Sequence, residues 1–321
     1  MIKKSNISNL SKDSGIGESI ITQKNRIISR KIFLKGKTLG ISVSESDNLS
    51  ELGYGVMHMK DAIIEISRYI LALGGKLAYG GDMRQGGFTE LLFDLLAYYK
   101  ADKELKPHER FLSYLAYPIS TTLTLEKEAE LNQTVTFKKI APPEDVHISD
   151  ISDFLQPDSP ENLYIWTRCL TKMREEMEKA CDARIFIGGR TNGFKGKCPG
   201  ILEELLIAIN NNHPVYLIGS YGGITKEIID VLSGIKSKVF SEDYHFGNSN
   251  YLKMYDLYNS RNPDDPIDYN KYFMALQNFG LKQVAEVNGL SHEDNLRLTN
   301  TPHISEIVYL ILKGLTNRFA N

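Results

Sequence analysis

The sequence predicts an α/β fold: a Rossmann-like, doubly wound parallel sheet with a helical C-terminal extension. Two patterns carry that prediction. Short apolar runs alternate with helical periodicity along most of the chain, which implies a parallel sheet covered on both faces. Of 25 glycines, 12 fall in three strand-to-helix turns, at residues 80–87, 188–200 and 219–223. Those turns are where a parallel sheet delivers the chain to its ligand edge. With 321 residues, 42% of them apolar and 24% charged, the chain has the apolar mass for a full core.

Residues 37–43 (KTLGISV) read as a first buried strand. Residues 57–73 follow as a helix, with Ile63, Ile64, Ile66, Ile70, Leu71 and Leu73 on one broad face. Gly74-Gly75 supplies a left-handed stop. Residues 76–79 form a second strand that runs into the first glycine turn, and 88–100 an amphipathic helix. Residues 111–117 and 134–140 are further strand candidates. Pro142, Pro143, Pro157 and Pro160 make 141–160 a loop or link. A long helix over 161–181 precedes a strand at 182–187 that ends in Gly188-Gly189. Residues 199–211 read as a helix with proline in its favoured first turn. A strand at 214–218, the third glycine turn and a helix to 232 complete the alternation. The tail is tyrosine-rich and mostly helical, with a last amphipathic helix near 305–315. The expected organisation is therefore an N-terminal arm over 1–36, polar and mobile, a Rossmann-like domain over 37–240, and a helical extension over 241–321 packed on the same domain. The tyrosines of 244–279 fit either a lid or a flank of the core.

Lys+Arg number 38 and Asp+Glu 40, a formal net charge of -2, so no basic field is available to hold nucleic acid. No apolar run approaches the ~20 residues that span a bilayer, and residues 1–30 hold no signal-peptide core, so no membrane partner is expected. Cys169, Cys181 and Cys198 lack CxxC spacing and read as buried apolar residues in a reducing, cytoplasmic setting. The seven histidines show no metal spacing, so no metal and no required cofactor are expected.

Glycine permits positive φ and close backbone approach, and N–H groups at the following helix start offer an anion site. Gly80, Gly81, Gly86, Gly87, Gly188, Gly189, Gly200, Gly219, Gly222 and Gly223 are thus candidate phosphate-cradling positions. Arg84 offers a bidentate fork to phosphate, unless it pairs with Asp82 within the same turn. Arg190, Lys195 and Lys197 are either a solvated loop or charge placed over a pyrophosphate. Ser44 and Glu45 follow the first strand, where they would contact base or ribose or serve turn chemistry. Tyr221 fits base stacking and core packing equally. Glu203 and Glu204 open a helix, where the dipole favours carboxylates. Facing a ligand, such an acid would bind ribose hydroxyls or stabilise the cation that develops as a glycosidic C–N bond breaks. Two P-loop look-alikes fail. Gly36-Lys37-Thr38 has Lys31 where the first glycine is required, and Gly196-Lys197-Cys198 has Thr191 there and a cysteine for Ser/Thr. GxGxxG is absent from the first strand-to-helix turn.

Tyr79-Gly80-Gly81 followed by Gly86-Gly87 resembles a glycine turn of the SLOG superfamily, which includes the Lonely Guy phosphoribohydrolases and the ligand domain of TRPM channels. Asp182-Ala183-Arg184-Ile185-Phe186-Ile187-Gly188-Gly189 followed by Gly200-Ile201-Leu202-Glu203-Glu204 resembles the Lonely Guy signature of a strand, a glycine pair and GTxEE. Over 37–315 the chain is most similar to the prokaryotic TRPM-associated group. It departs from the pattern in a longer loop between Gly189 and Gly200, in Ile201 for the threonine, and in a helical arginine whose position falls on Met173, with Arg174 next to it. The resemblance implies a sensor for a nucleotide-derived ligand such as ADP-ribose or NAD, acting in prokaryotic defence or stress, with a homo-oligomer and an effector partner. Its phosphoribohydrolase branch implies the alternative, an N-ribosyl hydrolase in which Glu204 stabilises the developing cation and Arg174 or Arg84 holds phosphate.

Overall fold

The computed structural model describes residues 32–81, 83–98, 109–148 and 150–320. Asp82 and most of the expected arm, residues 1–31, lie outside the described residues. Residues 32–36 already belong to the domain, because Leu34 is fully buried and its N–H donates to the Leu73 carbonyl.

Six strands, β1 (Thr38–Ser44), β2 (Lys76–Gly80), β3 (Phe111–Ala116), β4 (Thr136–Ile140), β5 (Ala183–Gly188) and β6 (Val215–Ile218), form one sheet of order β4-β3-β2-β1-β5-β6. All neighbours pair in parallel. The helices among the described residues are α1 (Val56–Ala72), α2 (Phe88–Tyr98), α3 (Leu125–Leu131), α4 (Pro160–Glu178), α5 (Gly200–Asn210), α6 (Gly223–Leu232), α7 (Glu242–His245), α8 (Ser249–Arg261), α9 (Tyr269–Asn288), α10 (His292–Asn300) and α11 (Ile304–Phe319). None of them is long and apolar enough to cross a membrane. The chain winds outward from β1 to β4 and then returns to the other side of β1. Strand order therefore reverses between β1 and β5, and a crevice opens beyond their carboxyl ends. The register Ser44↔Gly188 sets the last residues of both strands side by side at that crevice.

Alternation along β1 decides what each face can hold. Leu39, Ile41 and Val43 join the core beneath α1, α2 and α11. Gly40, Ser42 and Ser44 point to the other face, and β2 adds Ala78 and Gly80 there. These small residues let α4 ride close to the sheet: a Cβ on Gly80 would stand 2.8 Å from the Met173 sulfur. Trp166, Cys169, Leu170, Met173 and Met177 of α4 pack on Ala78, Tyr114 and Ala116. On the same side, α5 and α6 cover Phe186, Val215 and Leu217.

The acidic run of α3 has no counterpart in the sequence reading. It is capped by Thr124, which accepts from the Lys127 N–H, and buries none of its residues, so it offers no apolar stripe to read. The tyrosine-rich segment flanks the core. Tyr251, Tyr258, Tyr269 and Tyr272 are buried among α8 and α9, and the Tyr251 and Tyr269 hydroxyls bond each other at 2.7 Å.

The C-terminal helices close the β6 edge, which would otherwise expose unpaired backbone groups. Asn288, fully buried, donates to the Val215 carbonyl (3.0 Å) and to Asn295 Oδ1 (2.7 Å), and accepts from the Leu290 N–H (3.0 Å). Tyr216 adds a hydrogen bond to the Asn288 carbonyl at 2.9 Å. Asn288→Ala strips partners from buried groups on β6 and the following turn, so it is expected to lower unfolding stability by about 2 kcal/mol. Urea denaturation measures this, and a loss within error of zero contradicts the role.

Candidate functional site

Three successive turns of α4 present polar groups to the sheet: Thr171, Arg174 and Glu178, spaced three and four apart on one stripe. Opposite them stand Glu203 and Glu204 in the first turn of α5 (1% and 7% exposed), and Arg184 on β5 (0%). Thr171 and Arg174 both donate to Glu203. Arg174 Nε lies 3.6 Å from Glu204 Oε1. Ser42 and Arg184 donate to Glu204 Oε2, the latter at 3.2 Å. Arg184 Nε stands 3.2 Å from Glu178 Oε2, and His213 Nδ1 lies 2.7 Å from Glu178 Oε1. Acid and base alternate in a line from the buried Glu203 to the half-buried His213.

Each carboxylate in this line lies against a guanidinium, which is the condition for keeping such charges out of water. Burial opposes the charge on Arg174, but Glu203 and Glu204 outweigh it and raise its pKa above the ordinary value. Arg184 is raised likewise, burial being outweighed chiefly by Glu204. Two glycines make the room. A Cβ on Gly40 would stand 2.6 Å from Arg184 Nε, and one on Gly200 would stand 2.6 Å from Arg174 Nη2.

Above this line lies the cleft at the β1–β5 crevice. An inner cavity of about 200 Å³ is walled by Ser42, Ser44, Gly80, Gly81, Arg174 and Glu204, with Gly200 and Ile201 bringing the start of α5 to it. It opens into an outer lobe of about 500 Å³, walled by Met83, Ile119, Leu170, Phe154, Trp166 and Phe194. Arg84 and Arg190, both exposed, border both spaces. Glu45, Gly86 and Gly87 line a further recess at the rim. The long loop that carries Arg190 and Phe194 is tied at three points. Asp47 accepts from the Thr191 N–H (2.7 Å) and hydroxyl (2.9 Å), Thr167 donates to the Lys195 carbonyl (3.1 Å), and Tyr251 donates to the Lys197 carbonyl (2.8 Å).

Of the residues expected at a ligand site, Ser44, Glu45, Gly80, Gly81, Arg84, Gly86, Gly87, Arg174, Arg190, Gly200 and Glu204 meet at this cleft. Glu203 sits behind Arg174 rather than on the wall. Lys197 turns away to pair with Asp265 at 2.9 Å. Burial opposes its charge, but Glu203 above all holds its pKa above the lysine value. Gly219, Tyr221, Gly222 and Gly223 do not line the cleft. Tyr221 packs on Tyr54 in the core, and burial pushes its phenol up to about 12.

The expectation that glycine amides cradle phosphate needs correction at several positions. The N–H of Gly86 donates to Glu90 (2.5 Å) and that of Gly87 to the Arg84 carbonyl (3.1 Å). The N–H of Gly189 donates to the Ser44 carbonyl (2.8 Å), that of Gly222 to the Gly219 carbonyl (3.0 Å) and that of Gly223 to Asn48 (3.0 Å). Gly188, Gly189 and Gly223 instead serve close packing at positive φ: a Cβ on Gly223 would stand 2.2 Å from the Gly189 carbonyl oxygen. The start of α5, Arg84, Arg190 and Lys195 are the groups at the cleft whose charge or dipole suits an anion.

The fold and the cleft define a doubly wound α/β domain with a polar cleft at the topological switch point, where such folds bind ligands. The sequence model of the SLOG cluster2 family matches residues 33–298, and the chain belongs to that family. No curated protein matches the chain.

Ser42, Glu178, Arg184 and His213 were not singled out from sequence. Arg184 did leave a signal: one charge inside the buried run ARIFIG requires a partner. Arg184→Met would leave Glu178 and Glu204 buried beside one fewer cation, and is expected to cost about 3–5 kcal/mol in urea unfolding. A loss below about 1 kcal/mol contradicts a load shared through Arg184. Burial pushes the Cys169 and Cys181 thiols up to about 12 and raises Cys198 as well. A thiol-disulfide reagent at pH 8 is therefore expected to titrate no cysteine in the folded protein and all three in denaturant. Rapid native reaction of any one contradicts its burial.

Proposed function

We propose that the cleft binds a nucleotide-derived small molecule, ADP-ribose or an NAD-like ligand, and that the protein serves as a sensor of it in prokaryotic defence or stress. The observation that carries this reading is the Glu204 carboxylate on the floor of a cleft rimmed by Arg84 and Arg190. Glu204 is fixed by Ser42 and Arg184, and as a carboxylate it only accepts hydrogen bonds. It thus suits the paired hydroxyl donors of a ribose. The rim guanidiniums suit phosphate oxygens, which they grip by a planar fork. The combined space fits a nucleotide rather than a polymer, in line with the near-neutral chain. The output would pass to an effector partner or to further copies of the chain.

A second reading, N-ribosyl hydrolysis, is favoured by one contact. Glu204, on the acid that the SLOG resemblance marks as catalytic, has Arg174, one residue beyond the position of the family's arginine, at 3.6 Å. In that reading Glu204 stabilises the oxocarbenium-like charge at the sugar. Arg174 is already committed to Glu203, however, and Arg184 to Glu204 and Glu178, which favours binding over turnover.

Titration calorimetry with ADP-ribose, NAD and AMP is expected to give a dissociation constant for at least one of them that rises tenfold or more in Arg190→Ala. No heat and no shift in melting temperature with any of the three sinks the reading. Chromatography after long incubation is expected to recover the ligand intact. Free base that disappears with Glu204→Gln supports hydrolysis instead.

A further inference from the structure

We infer that the outer lobe of the cleft is a subsite for the planar base of the ligand, with the Phe154 ring as its platform. This rests on the nucleotide reading above and names the part of the ligand that the second lobe takes.

Phe154 belongs to the proline-rich segment that sequence alone treats as a link. The residue is 40% exposed, although phenylalanine is among the residues most often buried. The backbone on either side of it is nevertheless held. The Tyr117 hydroxyl donates to the Asp153 carbonyl at 3.2 Å, and Trp166 Nε1 donates to the Leu155 carbonyl at 2.8 Å. Both donors are buried, at 2% and 3% exposed. The two carbonyls that flank Phe154 are therefore anchored to β3's exit and to α4. The ring itself meets Trp166 edge-on, with centroids 5.9 Å apart and planes at 80°. Lys195 Nζ lies 4.4 Å from the Trp166 ring centroid. An apolar ring fixed in place and open to water loses little conformational freedom when a second ring covers it, so the arrangement is organised in advance for stacking.

The two lobes share a wall and differ at their far ends. Ser44, Ile119, Leu170, Arg174 and Phe194 line both, as do Arg84 and Arg190. Ser42, Gly80 and Glu204 belong to the inner cavity alone, and Met83, Phe154, Trp166 and Lys195 to the outer lobe alone. A ligand that matches this order has a sugar, then an anionic linker, then a flat ring with an apolar face. Stacking on a ring is tolerant of base identity, so the lobe selects for the presence of a base more than for its kind.

The chain's single tryptophan, Trp166, lies under Phe154 and reports on the lobe directly. The test titrates the full chain with ADP-ribose and with ribose 5-phosphate, followed by calorimetry and by Trp166 emission. Wild type is expected to bind ADP-ribose at least tenfold more tightly and to change its emission with ADP-ribose alone. Phe154→Ala is expected to weaken ADP-ribose about tenfold and leave ribose 5-phosphate unchanged. Phe154→Trp, which keeps a stacking face, is expected to retain the affinity. ADP-ribose binding that is unaltered in Phe154→Ala overturns the subsite while the nucleotide reading stands. Equal weakening of both ligands assigns Phe154 a structural role and also overturns it. Wild type that binds neither compound, nor NAD nor AMP, removes the nucleotide reading and the subsite together.

Discussion

Arg184 is the second residue of the interior strand β5, with none of its surface in water, and much of the surrounding structure answers to that charge. Removing a guanidinium from water costs several kcal/mol, which only close carboxylates recover. Glu178 and Glu204 converge on it from two different helices, α4 and α5. Their approach requires glycine at position 40, serine at 42, and an α4 register that points Thr171, Arg174 and Glu178 at the sheet. Gly200 is bound by the same demand, since the Arg174 guanidinium packs against the first turn of α5. The orientation of Glu204 at the cleft floor is thus set by the same contacts that hold the layer together. A carboxylate fixed in this way needs no reorganisation to meet a polar or charged group of a ligand.

The sheet and the location of the cleft were legible because each rests on a local pattern. Apolar strands alternating with amphipathic helices give the parallel sheet, and the glycine turns mark its carboxyl edge. The first-turn acids Glu203 and Glu204 were legible as a pair, though only Glu204 reaches the cleft wall. What the glycines do was read less well. Several of their amides are satisfied within the fold, at Gly87 by its own turn and at Gly223 by Asn48, so their conformational freedom serves close packing more than anion contact. Contacts between residues far apart in sequence left no local mark. Ser42 meets Glu204 across 162 positions, and Phe154 is held by Tyr117 and Trp166, neither of which a proline-rich stretch reveals. Position 173, where the resemblance placed an arginine, holds a methionine that packs under β2, while Arg174 turns toward the acids. A one-residue step along a helix turns a side chain by about 100°, and the local packing of α4 decides which neighbour faces the site.

Binding and cleavage of a nucleotide make different demands on the same residues. A binder needs an acceptor for ribose, cations for phosphate and a surface for the base. A hydrolase also needs a group that protonates or accommodates the departing base, and a water positioned at the sugar carbon. The proposed reading assigns the first set to Glu204 at the floor, Arg84 and Arg190 at the rim, and the aromatic outer wall. Arg174 and Arg184 are engaged with buried carboxylates, so their charge is already balanced within the fold. Arg84, Arg190 and Lys195 are exposed cations on the outer lobe, and the two arginines also line the inner cavity.

If the crevice between β1 and β5 is a nucleotide site with Glu204 at its floor, a crystal structure of the chain grown with ADP-ribose will show ligand density in this cleft, with a ribose hydroxyl within hydrogen-bond distance of the Glu204 carboxylate and the diphosphate between Arg84 and Arg190. Density for the ligand elsewhere on the protein, with the cleft holding only solvent, would contradict it.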